Sequence, residues 1–166
     1  MKNKNAPTKA AIPAPAATIS DVVEINDVRL VNITAEAPQG QIDLPVSVEC
    51  LVNEVSTSRT SDGKTITVQV AFAISGKQGG GAEAKPIFKI DARFLADYSL
   101  PAERVFEPKA IDAFGKTNGV FNIWPYWREL VQSITTRMGL PPLTLSVFRI
   151  ASSKREAPRQ GADATK

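Results

Sequence analysis

Histidine is missing from this 166-residue chain, and cysteine occurs once, as Cys50. Without an imidazole neither a Ser-His-Asp nor a Cys-His catalytic arrangement can be built. A single thiol leaves too few soft ligands for a structural zinc, and no disulfide can form within the chain. Cys50 stands in an alternating apolar stretch, which is the setting of a small buried thiol rather than a nucleophile. The lack of paired cysteines suits a cytoplasmic protein. No run approaches the ~18–20 consecutive apolar residues of a membrane span. Prolines interrupt the only apolar part of the first twenty residues, so the unbroken core of a secretory signal is lacking as well. A cytoplasmic chain that does not insert into a membrane is expected.

The net charge of +3 is unevenly distributed. Residues 1–20 carry +3 and residues 151–166 carry +2, so the remaining 21–150 carry −2. Both ends are polar or Ala/Pro-rich and offer little to bury against the entropy of ordering, so 1–20 is expected to be a disordered arm and 151–166 a disordered basic tail. A mildly acidic middle with its positive excess in the tails does not have the basic folded face of a specific nucleic-acid binder. Carboxylate pairs such as Asp91 with Asp97, or Glu103 with Glu107, are spaced like ordinary surface charges, so no enzyme is expected. The glycine-rich stretch SGKQGGGAEAKP lacks the order of a phosphate-binding loop and suits a hairpin tip.

Between the tails, β-branched residues dominate. Val22 to Ala37 reads as a strand stopped by Pro38, in which Val28 and Leu30 point one way and Val31 and Ile33 the other. That pattern implies a bulge or two apolar faces. Val46, Val48, Cys50 and Val52 alternate with polar residues, Asp62-Gly63 marks a tight turn, and Ile66 to Ile74 alternate without a break. A fourth strand carries Phe88, Ile90, Ala92 and Phe94 on one face. Four strands joined by short turns predict an antiparallel meander.

A short helical piece is expected after Leu100, broken near Gly115 and Asn118-Gly119. A long helix follows, with Ile123, Trp127, Leu130, Val131, Ile134 and Met138 on one stripe, Asn122 as N-cap and Pro125 in the first turn. Aromatics make up only 7% of the chain, yet both tryptophans, Phe121 and Tyr126 crowd into the start of this helix. The order of elements gives an α+β fold: a four-stranded antiparallel sheet followed by a short and a long helix packed on one face.

Asn122, Ile123, Pro125, Tyr126, Arg128, Glu129, Ser133, Arg137, Pro141, Leu143 and Leu145 match in order and spacing the long-helix signature of the SecB family of export chaperones. The segment from Asn26 to Pro38, NDVRLVNITAEAP, resembles that family's first strand, and the likeness covers residues 21–150. The GLPPLTL ending is similar to the atypical SecB-like chaperones that accompany some toxin–antitoxin systems. The resemblance implies a homotetramer, a dimer of dimers, that holds unfolded preproteins or an antitoxin without nucleotide or other cofactor and without catalysis. The main expectation is an ATP-independent holdase serving protein export. The alternatives are a chaperone dedicated to one antitoxin and a structural adaptor for a folded partner.

Phe121 and Trp124 lie off the apolar stripe, and with Val31 and Ile33 they are the candidates for a client groove; packing against a neighbouring subunit is the other reading. Tyr126, Arg128 and Glu129 belong to the family signature and are assigned to subunit assembly or to a solvated face. Trp127, Leu130 and Ile134 lie on the stripe, as core or interface. The first strand carries Asn32 where the family has an aspartate, although Glu36 is kept, and no C-terminal helix follows SVFRI. Docking to the translocase ATPase SecA therefore lacks part of its usual basis.

Overall fold

Unbroken alternation of apolar and small polar residues makes Thr65–Gln78 a central strand, because period two sends Ile66, Val68, Val70, Phe72 and Ile74 to one face. In the computed structural model, which describes residues 10–11, 18–37, 40, 42, 46–78, 85–101 and 104–151, that strand is β3. It is flanked by β2 (Val46–Arg59) and β4 (Lys85–Ser99), and β1 spans Glu24–Glu36. All neighbouring strands pair antiparallel. A two-residue parallel pairing joins Ala10–Ala11 to Ile150–Ala151.

The connectivity is not that of a plain meander. The sheet order is β1-β4-β3-β2, so β1 crosses over and pairs with β4 while β2 and β3 form a hairpin, the Greek-key arrangement. Glu36 and Val46 both lie at the Lys89–Gln78 end of the sheet. The connection therefore needs to bridge only three strand spacings, about 14 Å. Both β1 and β2 are consequently edge strands.

The tight turn forms where the sequence places it. Gly63 has φ 70°, and Asp62 Oδ1 accepts from Thr60 Oγ1 at 2.6 Å and from the Lys64 amide at 3.0 Å. The glycine-rich connection falls largely on residues 79–84, outside the described residues, between Gln78 and Lys85, which pair.

One helical path covers the centre of the sheet. It consists of α1 (Pro108–Phe114), a π-helical turn (Gly115–Gly119) and α2 (Val120–Arg137). Gly115 and Gly119 do not break it; both have ordinary right-handed helical φ and ψ. Their role is close approach: a Cβ on Gly115 would stand 2.2 Å from Thr57 Cγ2, and one on Gly119 2.6 Å from Val68 Cγ1. Asn122 accordingly lies inside the helix rather than capping it, and its side-chain amide donates to Tyr98 Oη at 3.2 Å. Pro125 also falls inside α2. Pro125 has no N–H to give the Phe121 carbonyl one turn earlier, and both residues are exposed.

The core lies between this helical layer and β3–β4. Trp127 stacks on Phe72, with centroids 5.3 Å apart and planes at 10°, and Trp124 meets the same ring edge-on at 5.8 Å. Ile19 is fully buried in this core although it falls in the stretch expected to be a disordered arm. The rest of that arm up to residue 17, apart from Ala10–Ala11, and the tail beyond Ala151 lie outside the described residues. Among the described residues no helix is long and apolar enough to cross a membrane.

Candidate polypeptide-binding surface

Register decides what β1 presents. Bulges fall between Ile25 and Asp27 and between Leu30 and Asn32, each inserting one extra residue opposite β4. The first pairs Ile25 with Tyr98 and Val28 with Ala96; the second pairs Leu30 with Phe94 and Ile33 with Ala92. Tyr98, Ala96, Phe94 and Ala92 are all buried under the helical layer, so Ile25, Val28, Leu30 and Ile33 belong to that same face. Ile33 therefore does not oppose Leu30 as the uninterrupted alternation implies. The bulge at Val31 resets the phase.

The helical layer does not extend over this edge. Ile25 is 47% exposed, Leu30 42%, Val31 52% and Ile33 36%, on a 13-residue edge strand whose outer backbone has no strand partner among the described residues. Such a strand is a template for pairing with another chain. Its opposite face is polar and knitted to β4. Arg29 donates to Asp27 and to Asp97, each at 2.6 Å, while Thr67 Oγ1 donates to Asp97 at 2.6 Å. The Thr67 hydrogen bond is the main cause holding the Asp97 carboxyl below its ordinary range, with Arg29 adding to it.

The other long side of α2 is covered by the chain itself. After Gly139, which takes φ 74° and ends the helix region, residues 141–149 have no regular secondary structure. They run back along α2. Thr135 Oγ1 accepts from the Leu143 amide at 3.2 Å, Arg128 Nε donates to the Leu145 carbonyl at 2.8 Å, and Trp124 Nε1 donates to the Ser146 carbonyl at 2.9 Å. The Phe148 ring lies 5.5 Å from that of Trp124. Leu145 is buried.

These contacts redistribute the predicted site residues. Phe121 is exposed at 45%. Trp124 is only 5% exposed, because Phe72 and Phe148 enclose it and Ser146 takes its N–H, so it is no free surface in this protomer. Trp127 is fully buried on Phe72 with its N–H 3.5 Å from Cys50 Sγ, which takes it out of the set open to a partner subunit. Arg128 is occupied within the chain. Tyr126 and Glu129 are exposed on the outer side of α2, with Leu130 and Ile134 half-buried beside them. Cys50 is half-buried, and desolvation pushes its thiol pKa up against the opposing Trp127 hydrogen bond.

Sequence reasoning missed Ile25 and Leu30. The signal was present in the two out-of-phase apolar runs of β1, but only the bulge positions merge them into one strip. It also missed a half-open cavity of about 190 Å³ where β1 meets the helical layer, lined by Ser20, Val23, Ile25, Tyr98, Phe114, Asn118 and Asn122. Burial pushes the Tyr98 hydroxyl pKa up there, against the Asn122 hydrogen bond, so it stays a neutral phenol.

A four-stranded antiparallel sheet with one helical layer is a fold that this chain shares with a SecB-like chaperone of known structure. The chain matches the solved structure of the SecB-like chaperone Rv1957 of Mycobacterium tuberculosis, determined in complex with a ChAD peptide from the Rv1956 HigA1 antitoxin. The TM-score is 0.69 at 21% identity, over 80% of this chain and 96% of that one. In sequence it is 37% identical over 70 residues to the SecB-like chaperones Rv1957 (strain ATCC 25618 / H37Rv) and MT2006 (strain CDC 1551 / Oshkosh) of that organism. The matched stretch covers 40% of this chain and 38% of the length of these curated relatives. No protein-family model matches the chain. The resemblance to SecB-like chaperones thus stands in sequence over 70 residues and in fold over most of the chain.

Proposed function

We propose that this chain is an ATP-independent chaperone that holds non-native polypeptide segments against the strip formed by Ile25, Leu30, Val31 and Ile33, with Phe121 as a further apolar contact. The observation that carries this reading is the half exposure of four aliphatic side chains on one edge strand, paired in the sheet on its β4 side. An unfolded client has no fixed shape, so its capture rests on apolar burial and backbone hydrogen bonding, both tolerant of sequence. Complete burial of one such side chain contributes about 1.5–3 kcal/mol, so the exposed half of four offers roughly 4 kcal/mol. Micromolar affinity needs about 8 kcal/mol. The strip must therefore act with strand pairing or with strips on other subunits, and weak distributed sites also permit release.

The proposal includes self-assembly to a tetramer through the outer side of α2, where Tyr126, Glu129, Leu130 and Ile134 are reachable, and a cytoplasmic setting. Hand-over to SecA is left out of it. The outer sheet face alternates in sign, with Lys89 on Asp91 at 2.7 Å and Arg29 between two aspartates, and presents no single acidic field. A second reading, a chaperone dedicated to one antitoxin in place of export clients, is favoured by the antitoxin peptide bound to the structural neighbour.

The test is suppression of aggregation of a slowly refolding client, with native mass measured in parallel. Wild type is expected to protect at about one oligomer per client chain, and Leu30→Ser with Ile33→Ser to weaken protection at least tenfold at unchanged mass. A wild-type chain that protects nothing would sink the reading. Protection restricted to a single antitoxin among many nascent chains would select the second one.

A further inference from the structure

We propose that the side of α2 bearing Trp124, Arg128 and Thr135 is itself a polypeptide-binding track, kept closed by the chain's own Leu143–Phe148 segment, and that an entering client displaces this segment. The inference rests on the chaperone reading and goes beyond it by naming a second client site and what occludes it.

The segment is held as a ligand is held. Three side chains of α2 reach its backbone: Trp124 and Arg128 donate to the carbonyls of Ser146 and Leu145, and Thr135 accepts from the amide of Leu143. Contacts to main-chain groups carry no sequence preference, so any chain in the same path can make them. Specificity is left to two apolar seats, one filled by buried Leu145 and one beside Trp124 filled by Phe148.

The contacts fix the direction of the occupant. From Thr135 to Trp124, eleven residues or about 16 Å of helix at ~1.5 Å per residue, the segment advances from Leu143 to Ser146, three residue steps or ~10 Å of extended chain, and the long Trp124 and Arg128 side chains reach the remaining distance. The occupant class follows: an open, non-helical stretch with bulky apolar residues about three positions apart, running antiparallel to α2. The segment adds no strand pairing of its own between 141 and 149 and leaves Val147 half exposed, so fewer contacts restrain it than restrain the β3–β4 core. Release would uncover Trp124, an indole whose N–H and ring face are then both available.

Displacement predicts an unusual sign. Loosening the closing segment raises the fraction of open chains, and apparent affinity rises in proportion. Binding of a fluorescently labelled, reduced and carboxymethylated α-lactalbumin is measured by anisotropy for wild type, Phe148→Ala and Trp124→Phe. Phe148→Ala is expected to bind three- to tenfold more tightly than wild type, and Trp124→Phe, whose lost N–H serves the closing segment and the client alike, to bind about as tightly as wild type. Because Phe148→Ala perturbs packing, hydrogen exchange of the wild type supplies the second readout. Saturating client should accelerate exchange of the Leu143 amide at least tenfold. Equal or weaker binding by Phe148→Ala, or a Leu143 amide that stays protected under client, overturns the displacement while leaving the chaperone reading in place. Absence of binding by all three proteins overturns both.

Discussion

Replacing Gly119 by alanine separates two effects that usually point the same way. Gly119 has φ −58° and ψ −50°, a backbone that any residue adopts, so an alanine there brings no strain of its own and should gain about 0.8–1 kcal/mol of helix propensity. Against this, its Cβ would stand 2.6 Å from Val68 Cγ1 and 3.3 Å from both Cβ and Cγ2. Val68 is fully buried on the central strand β3 and β-branched, so it has neither room nor a ready alternative rotamer. Overpacking of this kind costs about 1–3 kcal/mol, which outweighs the propensity gain in most of its range. Thermal unfolding should therefore show Gly119→Ala less stable by ~1–2 kcal/mol, a drop of about 3–8 °C for a domain of this size. The decisive assay is the cycle with Val68→Ala. That change alone costs about 2 kcal/mol through its cavity, and the double variant should be more stable than the sum of the two, by ~0.5–3 kcal/mol. A stabilised Gly119→Ala, or strictly additive losses, would refute the claim that glycine sits there for close approach.

Asp97 gives a pH signature. Its folded pKa is lowered, first by Thr67 and then by Arg29, so the stability it contributes is complete above the unfolded value near ~3.9 and is lost as pH falls through the lower folded value. The denaturant midpoints of wild type and Asp97→Asn should differ by a constant amount from about pH 7 to about pH 5 and converge as pH falls through the lowered folded value; a gap that persists once Asp97 is protonated contradicts the assignment. The Cys50 thiol, raised by burial, should react with iodoacetamide at pH ~8 at least tenfold more slowly in the native protein than in urea, as a neutral shielded thiol must. Equal rates would place Cys50 outside the packed layer.

Period two made β3 and β4 legible, since strands buried on one face announce themselves by alternation. Strand order was not legible, because nothing local distinguishes β2 from β4 as the partner of β1; long-range pairing decides it. Gly115 and Gly119 read as breakers for a similar reason. A glycine admits both a kink and a close approach, and only Thr57 and Val68 opposite them discriminate. The α2 stripe predicted Ile123, Trp127 and Val131 correctly as apolar positions on the sheet side, yet left Trp124 outside. A single stripe assumes one neighbour, whereas α2 has two, the sheet and residues 141–149. The spacing of Leu143, Leu145 and Phe148 after the two prolines was the available sign of a second packing layer.

The two proposed surfaces differ in what they ask of a client. The β1 strip is open and costs only the ordering of the incoming chain. The α2 track is closed by a competitor tethered to the same protomer, whose effective concentration is on the order of millimolar. A short peptide that reaches only the track must outbid that competitor alone, and with one leucine seat and one phenylalanine seat it has no surplus with which to do so. A longer chain anchored first on the strip becomes tethered itself, so its contest with Leu143–Phe148 is intramolecular on both sides and is decided by modest differences in contact. Affinity should therefore climb steeply with client length for wild type, and Phe148→Ala, with the seat vacated in advance, should strengthen the binding of short peptides more than that of long ones. A wild type whose affinity is independent of length would mean that strip and track are never engaged together.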